Sequence, residues 1–227
     1  YSKESVERAR KNDIESKNII RLGTSPMTPE RKLIDILNKV RKHLPNLKLQ
    51  LIPFENKPEN AKEILNNMGK DIDIVVGIYD EILLGSRNCT VTNLFYEPLR
   101  CAVSINHRLA DKEILSYEDL YEDNVMIIHK GWNNAMDKLR SEIIHKHPKI
   151  NIKDFNFFDL GIFNQCENSN DILVLADNFI GVHPLLKIIP VEWDFSTPFG
   201  VIHSTNPSEI VKEFLNKIKE ELSIIEK

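Results

Sequence analysis

Hydrophobic and polar residues follow two periodicities in the first half of the chain. Apolar residues three and four positions apart predict helices that begin near Thr28 and Pro58. Alternating or continuous apolar runs predict strands in "NIIRLGTS", "NLKLQLIPF" and "DIDIVVGI". The last run is apolar on both faces, so it is expected at the centre of a parallel sheet. This order of strand, helix, strand, helix and strand indicates an α/β unit.

The same order recurs in the second half. "NVMIIHKGW" predicts a strand, "NNAMDKLRSEIIHKH" a helix and "KINIKDFNFF" another strand. Asn168 or Ser169 is placed to cap a further helix, and "FIGVHP" predicts the strand that follows it. A final helix is expected in "NPSEIVKEFLNKIKEEL". The chain therefore predicts two similar α/β lobes.

Two extended stretches connect the predicted lobes. Thr90 to Ile105 can leave one lobe and enter the other, and "WDFSTPFGVIHS" can return. A chain that crosses and returns has two hinge strands, with a cleft between the lobes. We predict lobe I at residues 19–97 plus 199–227, and lobe II at residues 98–198. Residues 1–18 are dense in charged helix formers, which indicates a solvated helix or a fraying tail.

Composition excludes several classes of protein. The net charge of −4 and pI of about 6.0 leave no broad basic face for nucleic-acid phosphates. Cys89, Cys101 and Cys166 are odd in number and widely spaced, which favours a reducing compartment, the cytoplasm by default. Charges interrupt every apolar run, so no membrane segment is expected. The chain begins at Tyr1 without a signal peptide, which suggests a fragment of a longer protein.

Four motifs occur in an order that resembles one family. They are "IRLGTSPMTPERKLIDILNKVRKHLPNLKLQL", "LNNMGKDIDIVVG", "NHRLADKEILSYEDLYEDNVMII" and "NDILVLADNFIGVHP". This order is similar to the effector-binding domain of LysR-type transcriptional regulators, from about Ile19 to Leu222. Arg108 stands where the family usually has Pro, and His43 to Pro45 replace a Tyr-Pro-like element.

The resemblance implies a fold and a set of partners. The fold would be the type II periplasmic-binding-protein fold, α/β with two Rossmann-like lobes joined by two hinge strands. The domain would be a cytoplasmic sensor of a small-molecule effector, preceded by a winged helix-turn-helix, and residues 1–18 would end the linker helix. DNA would be contacted only through that missing N-terminal domain. A homodimer or homotetramer is expected, without a membrane and without a cofactor.

Four loops at the carboxyl ends of predicted strands are expected to face the cleft. Helices that follow such strands present unpaired N–H groups there. The loops comprise residues 24–28, 77–79, 130–133 and 163–166. We predict effector contacts from ten of these residues: Thr24, Ser25, Met27, Gly77, Tyr79, Lys130, Trp132, Asn133, Asn164 and Gln165. Hydroxyls and helix starts in this cleft favour a small anion.

Each of these residues also has a purely structural interpretation. Thr28 is better assigned as the cap of the first helix, with Pro29 behind it. Trp132 could stack on a ligand or plug the hinge, and Lys130 could pair with an anion or remain solvated. Cys166 could sense redox state, but a small packing residue is the better interpretation.

Catalytic motifs are missing from the sequence. His145 and His147 are two residues apart, so they do not form the metal-binding pair of a helix face. No nucleophile elbow, phosphate loop or paired-cysteine motif occurs. We therefore predict ligand sensing with no enzyme activity, metal or cofactor. The alternatives are an extracytoplasmic solute-binding protein of a transporter and, less favoured, an enzyme on the same fold.

Overall fold

The computed structural model describes residues 18–28, 31–85 and 87–225. The predictions for residues 1–17 and Pro29 lie outside this part of the chain. The helices are α1 (Arg31–His43), α2 (Pro58–Asn66), α3 (Glu81–Leu84), α4 (Asn134–Lys146), α5 (Leu160–Glu167) and α6 (Glu209–Ile225). The strands are β1 (Ile19–Thr24), β2 (Lys48–Pro53), β3 (Ile74–Ile78), β4 (Cys89–Ser104), β5 (Asn124–Ile128), β6 (Asn151–Phe155), β7 (Ile172–Ala176), β8 (Leu186–Ile189) and β9 (Ser196–Ser204).

The strands form two sheets that share β4. Their order is β2-β1-β3-β9-β4-β7-β5-β6, with β8 paired to β4. The first part of β4 pairs antiparallel with β9, and its last residues pair with β7 and β8. β4 and β9 are therefore the two strands that join the lobes, and both were predicted as extended connections. The predicted lobe boundaries fall inside these strands and stay a prediction.

Each lobe has its own hydrophobic core. In lobe I, α1 and α6 cover the sheet and bury residues such as Leu33, Phe199 and Phe214. In lobe II, α4 and α5 pack on the second sheet around Met126 and Phe163. Two cores with two crossing strands form the bilobal α/β architecture of the type II periplasmic-binding-protein fold.

The helical and strand patterns of both halves are largely confirmed. Pro58 is the first residue of α2, where its missing N–H costs no intrahelical hydrogen bond. Asn133 caps α4, since its side chain accepts a hydrogen bond from the Met136 amide. β3 lies inside its sheet, but it has β1 as a parallel and β9 as an antiparallel neighbour. The predicted central position of this strand is therefore confirmed, whereas the prediction of a parallel sheet around it is wrong on the side of β9.

Three further predictions in lobe II were wrong. Asn168 and Ser169 precede the strand β7 rather than a helix, because the run Ile172–Ala176 is buried on both faces. "FIGVHP" is not a strand: it begins at the end of a 3-10 turn, and Gly181 has a φ of 80°, which bends the chain. Residues 163–166 are not a loop but lie in α5, capped by Asp159.

Candidate functional site

A cavity of about 160 Å³ lies between the two lobes. Lobe I contributes the ends of β1, β2 and β3 together with the inner face of α2. Lobe II contributes the start of α4 and the segment that follows β6. The wall of the cavity is formed by Met27, Thr28, Phe54, Asn56, Ala61, Ile64, Leu65, Val75, Gly77, Ile78, Tyr79, Asp80, Ile128, Trp132, Asn133, Met136, Phe157, Phe158, Phe179 and Ile202.

The wall is mainly apolar and aromatic. Trp132 meets Phe157 edge to face, with ring centroids 5.6 Å apart. Phe158 stacks on Phe179 at 5.0 Å and meets Phe155 edge to face at 4.9 Å. These contacts hold the rings in fixed orientations, as is typical of aromatic pairs. The cavity therefore suits the face of a planar or alicyclic ligand better than a strongly hydrated one.

The first predicted loop forms a tight turn. The Thr28 amide donates to the Ser25 carbonyl at 3.0 Å, and the Ser25 amide donates to Thr28 Oγ1 at 2.8 Å. The Ser25 hydroxyl accepts from the Met27 amide at 3.2 Å. Met27 and Thr28 line the cavity, whereas Thr24 and Ser25 are not among its wall residues. Effector contact by Thr24 and Ser25 stays a prediction.

The second and third loops meet across the cleft. Gly77 and Tyr79 line the cavity from lobe I, and Trp132 and Asn133 line it from lobe II. The Tyr79 hydroxyl donates to Asn93 Oδ1 at 3.1 Å. Burial, with Tyr96 and Glu81 nearby, raises the pKa of Tyr79, so this hydroxyl remains a donor at neutral pH.

The other predicted residues lie away from the cavity wall. Lys130 is exposed, and so are Asn164 and Gln165 on α5. Cys166, next to them, is fully buried and its thiol contacts the carbonyls of Ala102 and Asp171 at 3.5 Å. Burial raises the pKa of Cys166 to about 12, which favours the packing interpretation over a redox sensor.

Hydrogen bonds join the lobes on two sides of the cavity. Asn56 Nδ2 donates to the Phe158 carbonyl at 2.7 Å. On another side, the Asn134 amide donates to Asp80 Oδ2 at 2.8 Å, and Asn134 Nδ2 donates to Asp80 Oδ1 at 3.0 Å. The lobes are therefore in contact in this conformation, with the cavity between them.

Sequence reasoning missed several wall residues. Phe54 and Asn56 follow β2, Phe157 and Phe158 follow β6, and Asp80 follows β3 by two residues. The ends of β2 and β6 follow the same rule as the four predicted loops, so the rule also predicts Phe54, Asn56, Phe157 and Phe158. Asp80 lies one residue beyond the predicted loop 77–79.

In the described ranges, no group of three or more His, Cys, Asp or Glu side chains is arranged to hold a metal ion. None of the helices in the same ranges is both long and apolar enough to span a bilayer.

Comparison with solved structures identifies the fold. CbnR, a LysR family transcriptional regulator, aligns with a TM-score of 0.68 at 12% identity, covering 96% of this chain and 74% of CbnR. The effector binding domain of QuiR in complex with shikimate gives 0.66 at 15% identity, covering 91% and 97%. The BenM effector binding domain with benzoate gives 0.55 at 19%, covering 91% and 93%. At these identities the likeness shows the fold alone.

Comparison with family models identifies the family, although no curated protein matches the chain. A model described as the LysR substrate binding domain matches residues 15–155. The matched part holds β1 to β6, and the cavity-wall residues at the ends of β1, β2, β3 and β5 lie within it. The chain therefore belongs to the LysR substrate-binding domain family, and it is the effector-binding domain of a LysR-type regulator.

Proposed function

We propose that this domain binds a small effector in the cavity between its lobes, and that effector binding changes how the full-length regulator binds DNA. A ligand that touches both lobes stabilises one relative orientation of them, since it contacts that conformation better than others. In the full-length regulator this orientation would set the spacing of DNA-binding heads in the oligomer. A helix-turn-helix would supply the DNA contacts, because this domain has a net charge of −4 and offers no broad basic face to DNA phosphates.

The cavity between the lobes is the observation that carries this proposal. Its wall takes residues from both lobes, and hydrogen bonds cross between the lobes beside it. Full-length CbnR is known in complex with its target DNA, which is a precedent for the coupling. QuiR and BenM, bound to shikimate and benzoate, are precedents for a small ligand.

One observation favours an anionic effector and another disfavours it. Shikimate and benzoate are carboxylates, in line with the sequence-based prediction of an anion. The cavity wall of this chain, however, includes Asp80 and contains neither Lys nor Arg. The described wall thus supplies no cationic partner for an anion.

We also propose that the domain is not an enzyme and works in the cytoplasm. The only ionisable side chains on the described cavity wall are Tyr79 and Asp80, too few for a nucleophile with a base and an orienting group. Three free cysteines fit a reducing compartment, which disfavours the solute-binding alternative.

Self-association is proposed from exposed apolar residues beside the sheet edges. Leu51 on the edge strand β2 is 58% exposed, and Ile144 on α4, next to the edge strand β6, is 56% exposed. A second copy of the chain would cover such surfaces. Sedimentation equilibrium should show a dimer or tetramer that Leu51→Lys weakens, whereas the distant Ile180→Lys should not.

The functional test uses the full-length regulator and its own promoter. A metabolite screen by thermal shift should yield a ligand that alters the promoter-binding pattern in a gel-shift assay. Ala61→Trp, which fills the cavity from α2, should abolish both effects. A full-length protein that binds no promoter DNA at all would exclude this function.

A further inference from the structure

Aromatic rings line the cavity from both lobes. Phe54 lies on the wall just after β2 of lobe I, and Trp132, Phe157 and Phe158 belong to lobe II. Trp132 and Phe157 meet edge to face, with ring centroids 5.6 Å apart. Aromatic side chains attract a further ring through edge-to-face or offset-stacked contacts. A ligand that carries a ring would therefore gain contacts here that an open-chain ligand of the same size would not.

The polar side chains of the wall are already bonded to other protein groups. Each hydroxyl, amide and carboxyl side chain on it forms at least one such hydrogen bond: Thr28, Asn56, Tyr79, Asp80 and Asn133. The Tyr79 hydroxyl donates its proton to Asn93 Oδ1 at 3.1 Å. Asn133 Oδ1 accepts from the Met136 amide at 3.0 Å, and Asn133 Nδ2 donates to the Thr197 hydroxyl at 2.9 Å. A strongly hydrated ligand would compete with these bonds or give up its water without replacement, and either costs free energy.

The volume of the cavity suits a single ring. It is about 160 Å³, and an apolar protein cavity of about 150 Å³ is large enough to stay dry and bind benzene. Most of the wall is apolar, so removal of the ligand's own apolar surface from water would be the main source of its affinity. Because rings of both lobes lie on the wall, one bound ring can contact both lobes at once. The proposed function requires such contact of its effector.

We propose that the effector of this domain is an apolar molecule with one aromatic ring, recognised through contacts with the rings of the wall. The ring would contact Phe54 of lobe I together with Trp132 and Phe157 of lobe II. This proposal rests on the proposed function of the cavity as the effector site, and it adds the chemical class of the ligand. It assigns recognition to ring contacts, so the loss of one wall ring should weaken binding.

The test compares fluorobenzene with shikimate, since each has one six-membered ring but shikimate is strongly hydrated. Ligand-observed NMR titration of the domain should show fluorobenzene binding about ten-fold tighter or more. Phe157→Leu removes a wall ring and keeps an apolar side chain, so it should weaken fluorobenzene binding about two- to ten-fold. Tyr121→Leu also replaces a half-buried aromatic residue of lobe II, but one that lies off the wall beside His147, and it should leave the affinity unchanged.

Cavity-filling variants separate this proposal from the function on which it rests. Ala61→Trp, or Ile64→Trp from the same helix, should abolish fluorobenzene binding; persistence of that binding would place the ring elsewhere and overturn the cavity as its site. Tighter binding of shikimate that both variants block would overturn the ligand class alone and leave the cavity as the effector site. Failure of fluorobenzene to bind the unaltered domain, or an affinity that Phe157→Leu leaves unchanged, would also overturn the ligand class. Circular dichroism should show that each variant is folded.

Discussion

At the scale of single residues, burial decides which titratable side chains stay uncharged. His203 on β9 is only 8% exposed, and its Nδ1 lies 2.8 Å from the Ser204 carbonyl. Its Nε2 lies 3.2 Å from the Thr92 hydroxyl, so a neutral ring satisfies both contacts. Burial lowers the pKa of His203 below its ordinary value of 6.5, because the charged form would lose its hydration.

We expect His203 to make stability depend on pH. Because its pKa is lower in the folded state, its contribution is fully present above the unfolded pKa of 6.5. It is lost as the pH falls below that value, with a slope of at most about 1.4 kcal/mol per pH unit. Urea unfolding of His203→Gln across this range should show a smaller decline in the free energy of unfolding. An unchanged decline would contradict the assignment.

Cys166 gives a second expectation at this scale. Its thiol is fully buried and its pKa is raised to about 12, so almost no thiolate is present at neutral pH. A thiol reagent should therefore modify Cys166 in the folded protein only through unfolding. Mass spectrometry should find Cys166 unlabelled under native conditions and fully labelled in denaturant. Rapid native labelling would revive the redox interpretation.

At the scale of elements, close strand packing in the hinge depends on one glycine. Gly200 of β9 pairs with Gly77 of β3 and with Asn93 of β4, next to an irregularity in the β4–β9 register. A Cβ at Gly200 would lie 2.6 Å from the Thr92 carbonyl oxygen and 3.1 Å from a Tyr79 ring carbon. A glycine inside a strand often marks such an approach, but the sequence alone does not tell which glycine is constrained.

Substitution of the two paired glycines should have very different effects. Gly200→Ala forces the hinge strands apart, and we expect it to lower the free energy of unfolding by about 1–3 kcal/mol. A Cβ at Gly77 has its nearest neighbour, Thr28 Cγ2, at 3.9 Å, so Gly77→Ala should cost much less. Denaturant unfolding of both variants provides the measurement. Equal costs would show that the β4–β9 contact is not the constraint.

At the scale of the whole molecule, contacts between the lobes hold the cleft in its closed arrangement. Asn56 donates across the cleft to the Phe158 carbonyl at 2.7 Å, and Met27 of lobe I packs into the core of lobe II. Single hydrogen bonds of this kind contribute about 1 kcal/mol, so the closed arrangement can respond to a ligand of modest affinity.

Removal of the Asn56 contact should favour opening of the cleft. We expect Asn56→Ala to raise acrylamide quenching of Trp132, the tryptophan on the cavity wall, in a Trp193→Phe background. Asn60→Ala is the matched control, since its side chain only donates to the nearby Glu55 carbonyl within lobe I. Identical quenching in the two variants would show that Asn56 does not hold the lobes together.

The sequence by itself determined most of the helices and strands and the two-lobed α/β architecture. The sequence indicates β1 to β6, α1, α2 and α4 through helical spacing, prolines at helix starts and apolar strand runs. These signals depend on local propensity and burial pattern, which residues close together in the sequence determine. The region from Asn168 to Pro184 was misassigned because a short apolar run fits a buried strand or a buried helix equally well. Only pairing with β4 and β5 makes Ile172–Ala176 a strand.

The tertiary structure decided the composition of the cavity. Strand-end reasoning indicated Met27, Gly77, Tyr79, Trp132 and Asn133, because the ends of parallel strands meet at one edge of a sheet. Whether a loop residue faces the cleft, turns away like Lys130 or bonds within its own turn like Ser25 depends on side-chain direction and on the opposite lobe. The contact of Asp80 with Asn134 joins residues 54 positions apart, so no local pattern could have shown it.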